Sequence, residues 1–389
     1  MTRSQPDILV IGAGIAGASA AAELARTHTV TVLEGEDAPG YHSTGRSAAV
    51  FSESYGNPAV RALTRASRDF FYHPPAGFSP YPLLKRRSWL HVASRSQAAA
   101  LDSFLATEDL ALRVRRVSPQ EALALSPRLR PETAAAGGAY EREAADIDVD
   151  ALHQGYLRLL RQHGGTVVTD AQVTALERRG GKWVIASTAG DFEAPVVIDA
   201  AGAWADRIAA LAGIEPMRIQ ACRRTAIVVE LAGDPISDEW PLTIDIDEAY
   251  YFKPDAGLLL ISPADETPVE PCDAHPEELD VATAIDRVER ATLMAIRRVR
   301  RSWAGLRSFA PDRSPVIGFD QSAPGFFWLA GQGGYGIQTA PAAARLAAAL
   351  VRGEALPDSL SSLDPVSLAP GRFSNTGRVS NRVPPCAQP

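Results

Sequence analysis

One short run constrains this chain more than any other. Gly12-Ala13-Gly14-Ile15-Ala16-Gly17 sits between an apolar segment and a helix-forming one. Residues 7–11, DILVI, read as a strand covered on both faces. ASAAAELAR after the glycines has strong helix formers and no proline, and TVTVLE then alternates as a second strand. Strand, glycine turn, helix and strand within about 30 residues make a βαβ unit. In such a unit Gly12 permits the tight turn, Gly14 lets a diphosphate approach the backbone, and Gly17 lets helix pack on strand. The helix N-terminus adds free N–H groups and partial positive charge. Glu34, roughly 20 residues on, stands where an acid accepts hydrogen bonds from a ribose. GxGxxG alone is a weak signal, but strand, helix and acid in step with it predict a dinucleotide site.

Composition narrows the rest. The chain has 389 residues, 46% of them hydrophobic, enough for two or three domains with buried cores. Its 39 basic and 46 acidic residues leave a formal charge of −7, which argues against nucleic acid as a partner. The clusters Arg113, Arg115, Arg116 and Arg297, Arg298, Arg300, Arg301 alternate with apolar residues and read as solvated faces. Cys222, Cys272 and Cys386 lie far apart with no CxxC pair, so neither zinc nor a disulfide framework is expected. A reducing, cytoplasmic setting fits this usage. The stretch from Ile8 to Ala22 is too short for a transmembrane helix, and Asp7 with the glycine spacing fits a strand and turn better than a signal peptide. Asp146, Asp148 and Asp150 lack the glycine and glutamate of a calcium loop and read as a polar junction ending in a helix cap, so no metal is expected.

Along the chain, 151–162 reads as a helix capped by Asp150, followed by consecutive strands. Residues 218–262 are β-rich, a helix is expected over 277–299, and 326–351 closes the fold as strand, glycine loop and helix. The fold class expected is α/β. A Rossmann-like dinucleotide-binding domain, discontinuous in sequence, takes residues 1–80, 147–218 and 304–360. Residues 81–146 and 219–303 form a second, α+β substrate domain on a mostly antiparallel sheet, and 361–389 read as a disordered tail.

Which dinucleotide is bound follows from what comes after Glu34. EGEDAPGYHSTGRSAAVF is a polar, glycine-broken loop rather than a further βα unit, and GQGGYGIQTAP is a second glycine-rich loop entering a helix. Two backbone cradles at opposite ends of the chain suit a long, resident FAD better than an exchangeable NAD. His42 in the first loop is expected to bond only backbone.

These stretches are similar to those of a known family. VIGAGIAGAS, PGYHSTGRSAA, RALTRASRDFF, ADIDVDALHQGYLR, AAGAW, YFKPDAG, SWAGLRSF and GFFWLAGQGGYGIQT resemble the D-amino acid oxidase-like superfamily of FAD-dependent amine oxidoreductases, and within it the bacterial D-arginine dehydrogenases and related D-amino acid dehydrogenases. The resemblance covers most of residues 7–350. It implies FAD contacts at Gly12, Gly14, Ile15, Ala16, Gly17, Glu34 and Gly35 and at Ser43, Thr44, Gly45, Arg46, Ser47, Ala48 and Ala49. It implies more at Val173, Ala201, Gly202 and Trp204, and at Gly333, Gly334, Tyr335, Gly336, Ile337 and Gln338. No cysteine stands beside Gly305-Leu306-Arg307, where some relatives attach flavin, so FAD is expected to be non-covalent.

The same resemblance places Arg224, Arg307 and Tyr251 around a substrate carboxylate, with Tyr55 on a mobile loop closing over it. Val50, Trp89, Leu242, Ile244, Gly334 and Gln338 would line the side-chain pocket. Arginine-specific relatives carry a glutamate where Trp89 stands and a histidine where Val50 stands, so D-arginine is disfavoured and an apolar or aromatic side chain preferred. A slip of the alignment would put Arg86 or Arg87 in that pocket instead. The expected reaction is oxidative deamination of a D-amino acid by hydride transfer from Cα to flavin N5, with oxygen, a quinone or another acceptor taking the electrons. The alternative is another amine: glycine, sarcosine, a cyclic imino acid or a biosynthetic intermediate.

Overall fold

The computed structural model describes residues 5–373 apart from 108, 109, 111, 112, 234, 235 and 362. The DILVI run forms β1 (Ile8–Ile11), the glycine turn leads into α1 (Ile15–Leu24), and β2 (Val30–Leu33) follows. They lie in a six-stranded sheet ordered Val316–Phe319, Phe326–Ala330, Val196–Asp199, β1, β2, Thr166–Val168. Every neighbouring pair is parallel except the antiparallel edge strand Val316–Phe319. Alternation along β1 serves two cores. Ile8 and Val10 pack with α1, Val149–Gln162 and Gly336–Arg352. Leu9 and Ile11 pack with Trp183, Ile185 and Phe192 of a three-stranded antiparallel meander. A parallel strand covered on both faces needs a continuous apolar run, which is what the sequence offers.

A second, nine-stranded sheet runs Thr267–Val269, Gln220–Ala232, Leu258–Ser262, Tyr251–Asp255, Leu242–Asp245, Trp89–Ala93, Gly137–Glu141, Arg115–Val117, with Ala295–Phe309 also paired to Gln220–Ala232. It is antiparallel save where Leu242–Asp245 meets Trp89–Ala93. Period-two alternation gives it two faces. Ile227, Val229, Tyr250 and Phe252 pack with the helix Glu278–Ala291. Val228, Leu242, Ile244, Tyr251 and Trp89 cluster separately. Val50–Phe51, Ala145–Ile147 and Leu84–Arg86 form a small sheet of their own.

Four expectations are corrected. The helix expected over 277–299 ends at Ala291, and Ala295–Phe309 is a strand. Pairing with thirteen residues of Gln220–Ala232 outweighs the helix propensity of that arginine-rich run. The boundary expected at 304 therefore cuts through a strand that belongs wholly to the second sheet. Asp148, not Asp150, caps the helix Val149–Gln162, its side chain accepting from Ala151 N at 2.9 Å. Residues 363–373, expected in a disordered tail, form short turns that bury Leu363 and Leu368 in the first core; residues 374–389 lie outside those described. Among the described residues no group of His, Cys, Asp or Glu is placed to hold a metal, and no helix is long and apolar enough to cross a membrane. Asp146 instead meets Arg87 and Lys253 at 2.8 and 2.6 Å.

Candidate active site

A cavity of about 890 Å³ is walled by residues of both large sheets. One end is the glycine turn. Gly12 has φ +99°, and a Cβ there would sit 2.6 Å from the carbonyl oxygen of Ala200; at Gly17 it would sit 1.9 Å from that of Gly12. Glu34 folds back on the turn, accepting from Ala13 N at 2.8 Å and Glu36 N at 3.1 Å. Buried His153 donates from Nε2 to the Ala13 carbonyl at 2.8 Å, and Thr44 Oγ1 accepts from Ile15 N at 2.9 Å. His42 bonds the Glu36 carboxylate at 2.7 Å rather than backbone, and its ring lies 4.6 Å from that of Trp204.

Every residue expected at the cofactor or the substrate lines this cavity except Gly17, Gly45 and Tyr335. Gly17 serves helix packing, and Gly45 donates to the Gly40 carbonyl within the loop. Tyr335 caps the last helix and packs its ring 4.8 Å from that of Tyr55. Arg86 is exposed and Arg87 is tied to Asp146 and the carbonyls of Asp238 and Trp240, so neither enters the pocket. Lining residues that sequence reasoning missed include Tyr41, Gln172, Arg207, Ala226 and Gln332.

At the other end the β-ladder brings two guanidiniums together. Arg224 is opposite Gly305, and Arg307 is opposite Cys222 on the neighbouring antiparallel strand. Residues 222 and 224 share a face, so both arginines project the same way. Gly305 lets the Arg46 loop approach, a Cβ there lying 3.4 Å from that of Arg46, and a Cβ at Gly334 would lie 2.6 Å from Cζ of Arg307. Arg307 Nη1 donates to the Tyr55 hydroxyl at 2.9 Å. Burial pushes the Tyr55 phenol up, against the pull of that guanidinium, so it stays neutral. Tyr251 lines the cavity while Tyr250 turns into the helix-covered core. Tyr55 packs at a tilt against Trp89 with ring centroids 5.1 Å apart, and Trp89, Leu242 and Ile244 complete an apolar wall.

The segment that leads to Tyr55 is anchored through a buried carboxyl. Glu141, 3% exposed, accepts from Ser52 Oγ at 2.6 Å, Ser54 Oγ at 2.5 Å and Glu53 N at 2.8 Å. Its cross-strand partner is Trp89, so the carboxyl ties the 52–54 segment to the strand beside Trp89. Burial raises Glu141, the hydroxyl and amide donors opposing it. A raised acid favours folding fully below its ordinary range and loses that contribution as pH climbs through the folded value. Thermal melts from roughly pH 5 to 8 should therefore show a steeper fall in Tm for the native chain than for Glu141→Gln. Parallel slopes would mean that Glu141 is ionised throughout.

FAD fits this cavity on three observations. Gly14 caps α1 without a side-chain hydrogen bond of its own; Thr44 takes Ile15 N, and the amides of Ala16 and Gly17 that follow belong to the helix end, with its partial positive charge, that opens on the cavity. Tyr335 likewise caps Gly336–Arg352 without one, and that helix too opens on the cavity. Gln338, whose Oε1 accepts from Ser52 N, has a buried Nε2 with no partner among the described residues, a donor waiting for an acceptor at the cavity wall.

Comparison with known proteins agrees. The chain matches the DAO family model, FAD dependent oxidoreductase, over residues 7–350. It is 26% identical to glycine oxidase of Pseudomonas aeruginosa over 374 residues, covering 89% of this chain and 94% of that protein. FAD-dependent oxidoreductase domain-containing protein 1 of Xenopus laevis is 30% identical over 178 residues, 41% of this chain. The chain spans only 35% of that protein, and 49% of the hydrogen cyanide synthase subunit HcnC of Pseudomonas aeruginosa. Its fold is that of L-proline dehydrogenase from P. horikoshii, with TM-score 0.80 at 21% identity over 96% of this chain and 99% of that one. A glycine turn, two helix ends that open on the cavity and a family match along most of the chain converge: this chain belongs to the DAO family, FAD dependent oxidoreductase.

Proposed function

We propose that the protein oxidises the Cα–N bond of a D-amino acid with an apolar or aromatic side chain, giving the imino acid that water converts to the 2-oxo acid. The observation carrying this reading is the pair of guanidiniums, Arg224 and Arg307, on one sheet face beside an apolar wall. Forked donors suit a carboxylate, and charge-assisted bonds of this kind contribute about 1.5–3 kcal/mol each. Tyr55 and Tyr251 flank the pair and exclude water. Bound FAD, held without a covalent link, supplies the two-electron oxidation; the protein supplies position and charge. Val50, Trp89, Leu242 and Ile244 offer no counter-ion to a distal guanidinium. Leaving one unpaired costs about 2–5 kcal/mol, which disfavours D-arginine. Among the described residues lining this apolar end of the cavity there is no histidine, aspartate or glutamate, so the substrate amine sheds its proton to solvent before it is oxidised.

A second reading rests on the likeness to glycine oxidase and L-proline dehydrogenase: the amine is glycine, sarcosine or a cyclic imino acid. The test is an anaerobic panel of D- and L-amino acids, N-methyl and cyclic amines, watched by bleaching of the flavin band. Bleaching by D-leucine or D-phenylalanine and not their L-forms supports the first reading. Bleaching by glycine, sarcosine or proline alone replaces it with the second.

A further inference from the structure

Two guanidiniums projecting from one sheet face repel each other, and the repulsion grows as water is excluded. Arg224 is 8% exposed, so an opposite charge must hold the pair together when no ligand is bound. Glu266 supplies it. One carboxylate oxygen lies 3.1 Å from Arg224 Nη2 and 3.8 Å from Arg307 Nη1, and the other lies 2.8 Å from Arg313 Nη2. The preceding residue completes the brace. Arg224 Nε donates to the Asp265 carbonyl at 2.6 Å, while the Asp265 carboxylate turns away to Thr225 N and Oγ1 at 2.7 and 3.0 Å. One edge of the Arg224 fork is thus committed to residues 265 and 266, and its remaining Nη1 is left for a ligand. The same Nη1 of Arg307 donates to the Tyr55 hydroxyl at 2.9 Å. Glu266 is not itself among the cavity's lining residues, so it acts on a substrate only through the arginines.

We propose that Glu266 is a positioning residue: a built-in counter-ion that keeps the Arg224 and Arg307 forks aligned, so that the substrate carboxylate meets a preformed clamp. This rests on the reading that those arginines bind a carboxylate. A fixed acid behind the clamp lowers the cost of ordering two long side chains on binding, an effect that appears in KM and not in the chemical step. Loss of the brace matters even though it also removes a competing negative charge, because an unbraced Arg224 is free to leave its side of the clamp.

The test uses FAD-loaded Glu266→Gln, Glu266→Asp and Arg307→Ala. Two readouts are taken: steady-state kinetics with the best substrate of the panel, and calorimetric binding of benzoate, an aromatic monocarboxylate suited to the apolar wall. Glu266→Gln should raise KM and the benzoate Kd about tenfold with kcat within about twofold, and Glu266→Asp should restore most of the loss. KM and Kd that stay level or fall in Glu266→Gln overturn the proposal, as does a lowered kcat at unchanged KM. The Arg307→Ala arm separates this from the underlying reading. If Arg307→Ala abolishes benzoate binding while Glu266→Gln does not weaken it, only the role of Glu266 fails. If Arg307→Ala binds benzoate as the native enzyme does, the carboxylate clamp fails with it.

Discussion

Arg307→Leu should lower kcat/KM for an amino acid substrate by about 30- to 4,000-fold while FAD content stays at the native level. The range follows from truncating one partner of a buried charge pair, about 2–5 kcal/mol, at 1.4 kcal/mol per decade. Leucine removes the buried charge without leaving Glu266 alone, since Arg224 and Arg313 remain on that carboxylate at 3.1 and 2.8 Å. The fold therefore loses only the longest of the three Glu266 ion pairs, together with one fork of the clamp. Arg307→Lys should fall in between, because an ammonium keeps the charge but not the planar pair of donors. Steady-state kinetics with flavin-normalised enzyme reads all three proteins. A kcat/KM for Arg307→Leu within about threefold of native would remove this arginine from substrate binding.

The second large effect is on the cofactor. Gly14→Val should yield a folded protein whose affinity for FAD falls by about 5- to 150-fold, the range set by the about 1–3 kcal/mol of overpacking. Gly14 has φ −67°, which valine tolerates, and a Cβ there meets only Thr44 Oγ1 at 3.3 Å. The protein accepts the branched side chain, and the cost falls on whatever approaches the turn from the cavity. Gly12→Val is the contrasting control: its positive φ and the Ala200 carbonyl 2.6 Å away would break the turn itself. Flavin absorbance after gel filtration, with circular dichroism to confirm folding, separates the two variants. A Gly14→Val protein that is as yellow as native would show that no diphosphate approaches there.

Local physics made the cofactor end legible. A glycine turn between strand and helix is specified by neighbours a few residues apart, so the run from Asp7 to Glu34 announces its own structure. The substrate end needed long-range pairing. Arg224 and Arg307 were named from resemblance, yet what brings them together is a ladder between strands eighty residues apart, whose register no short window contains. Glu266 gave no signal at all, because its three partners lie at positions 224, 307 and 313. Two arginines facing one way do demand a counter-ion, and that argument would have prompted a search for an acid. Glu141 was invisible for the same reason, its partners in the 52–54 segment being far off in sequence. The overrun of the helix expected over 277–299 beyond Ala291 shows the converse failure. Isoleucine, valine and arginine can sit on either element, and only the waiting strand Gln220–Ala232 decides.

The cofactor-binding sheet draws its strands from residues 8–33, 166–168, 196–199 and 316–330. Phe326–Ala330 hydrogen-bonds Val196–Asp199, which in turn flanks β1. Such non-local pairing folds slowly, since the chain closes large loops before the contacts repay it. During synthesis the nascent N-terminal half emerges with an unmated sheet edge and no finished cradle. The cradle is therefore complete only once Phe326–Ala330 has joined the sheet and carried Gly333–Gln338 to the cavity, so a chain cut short before residue 330 lacks one of the two glycine loops that wall it.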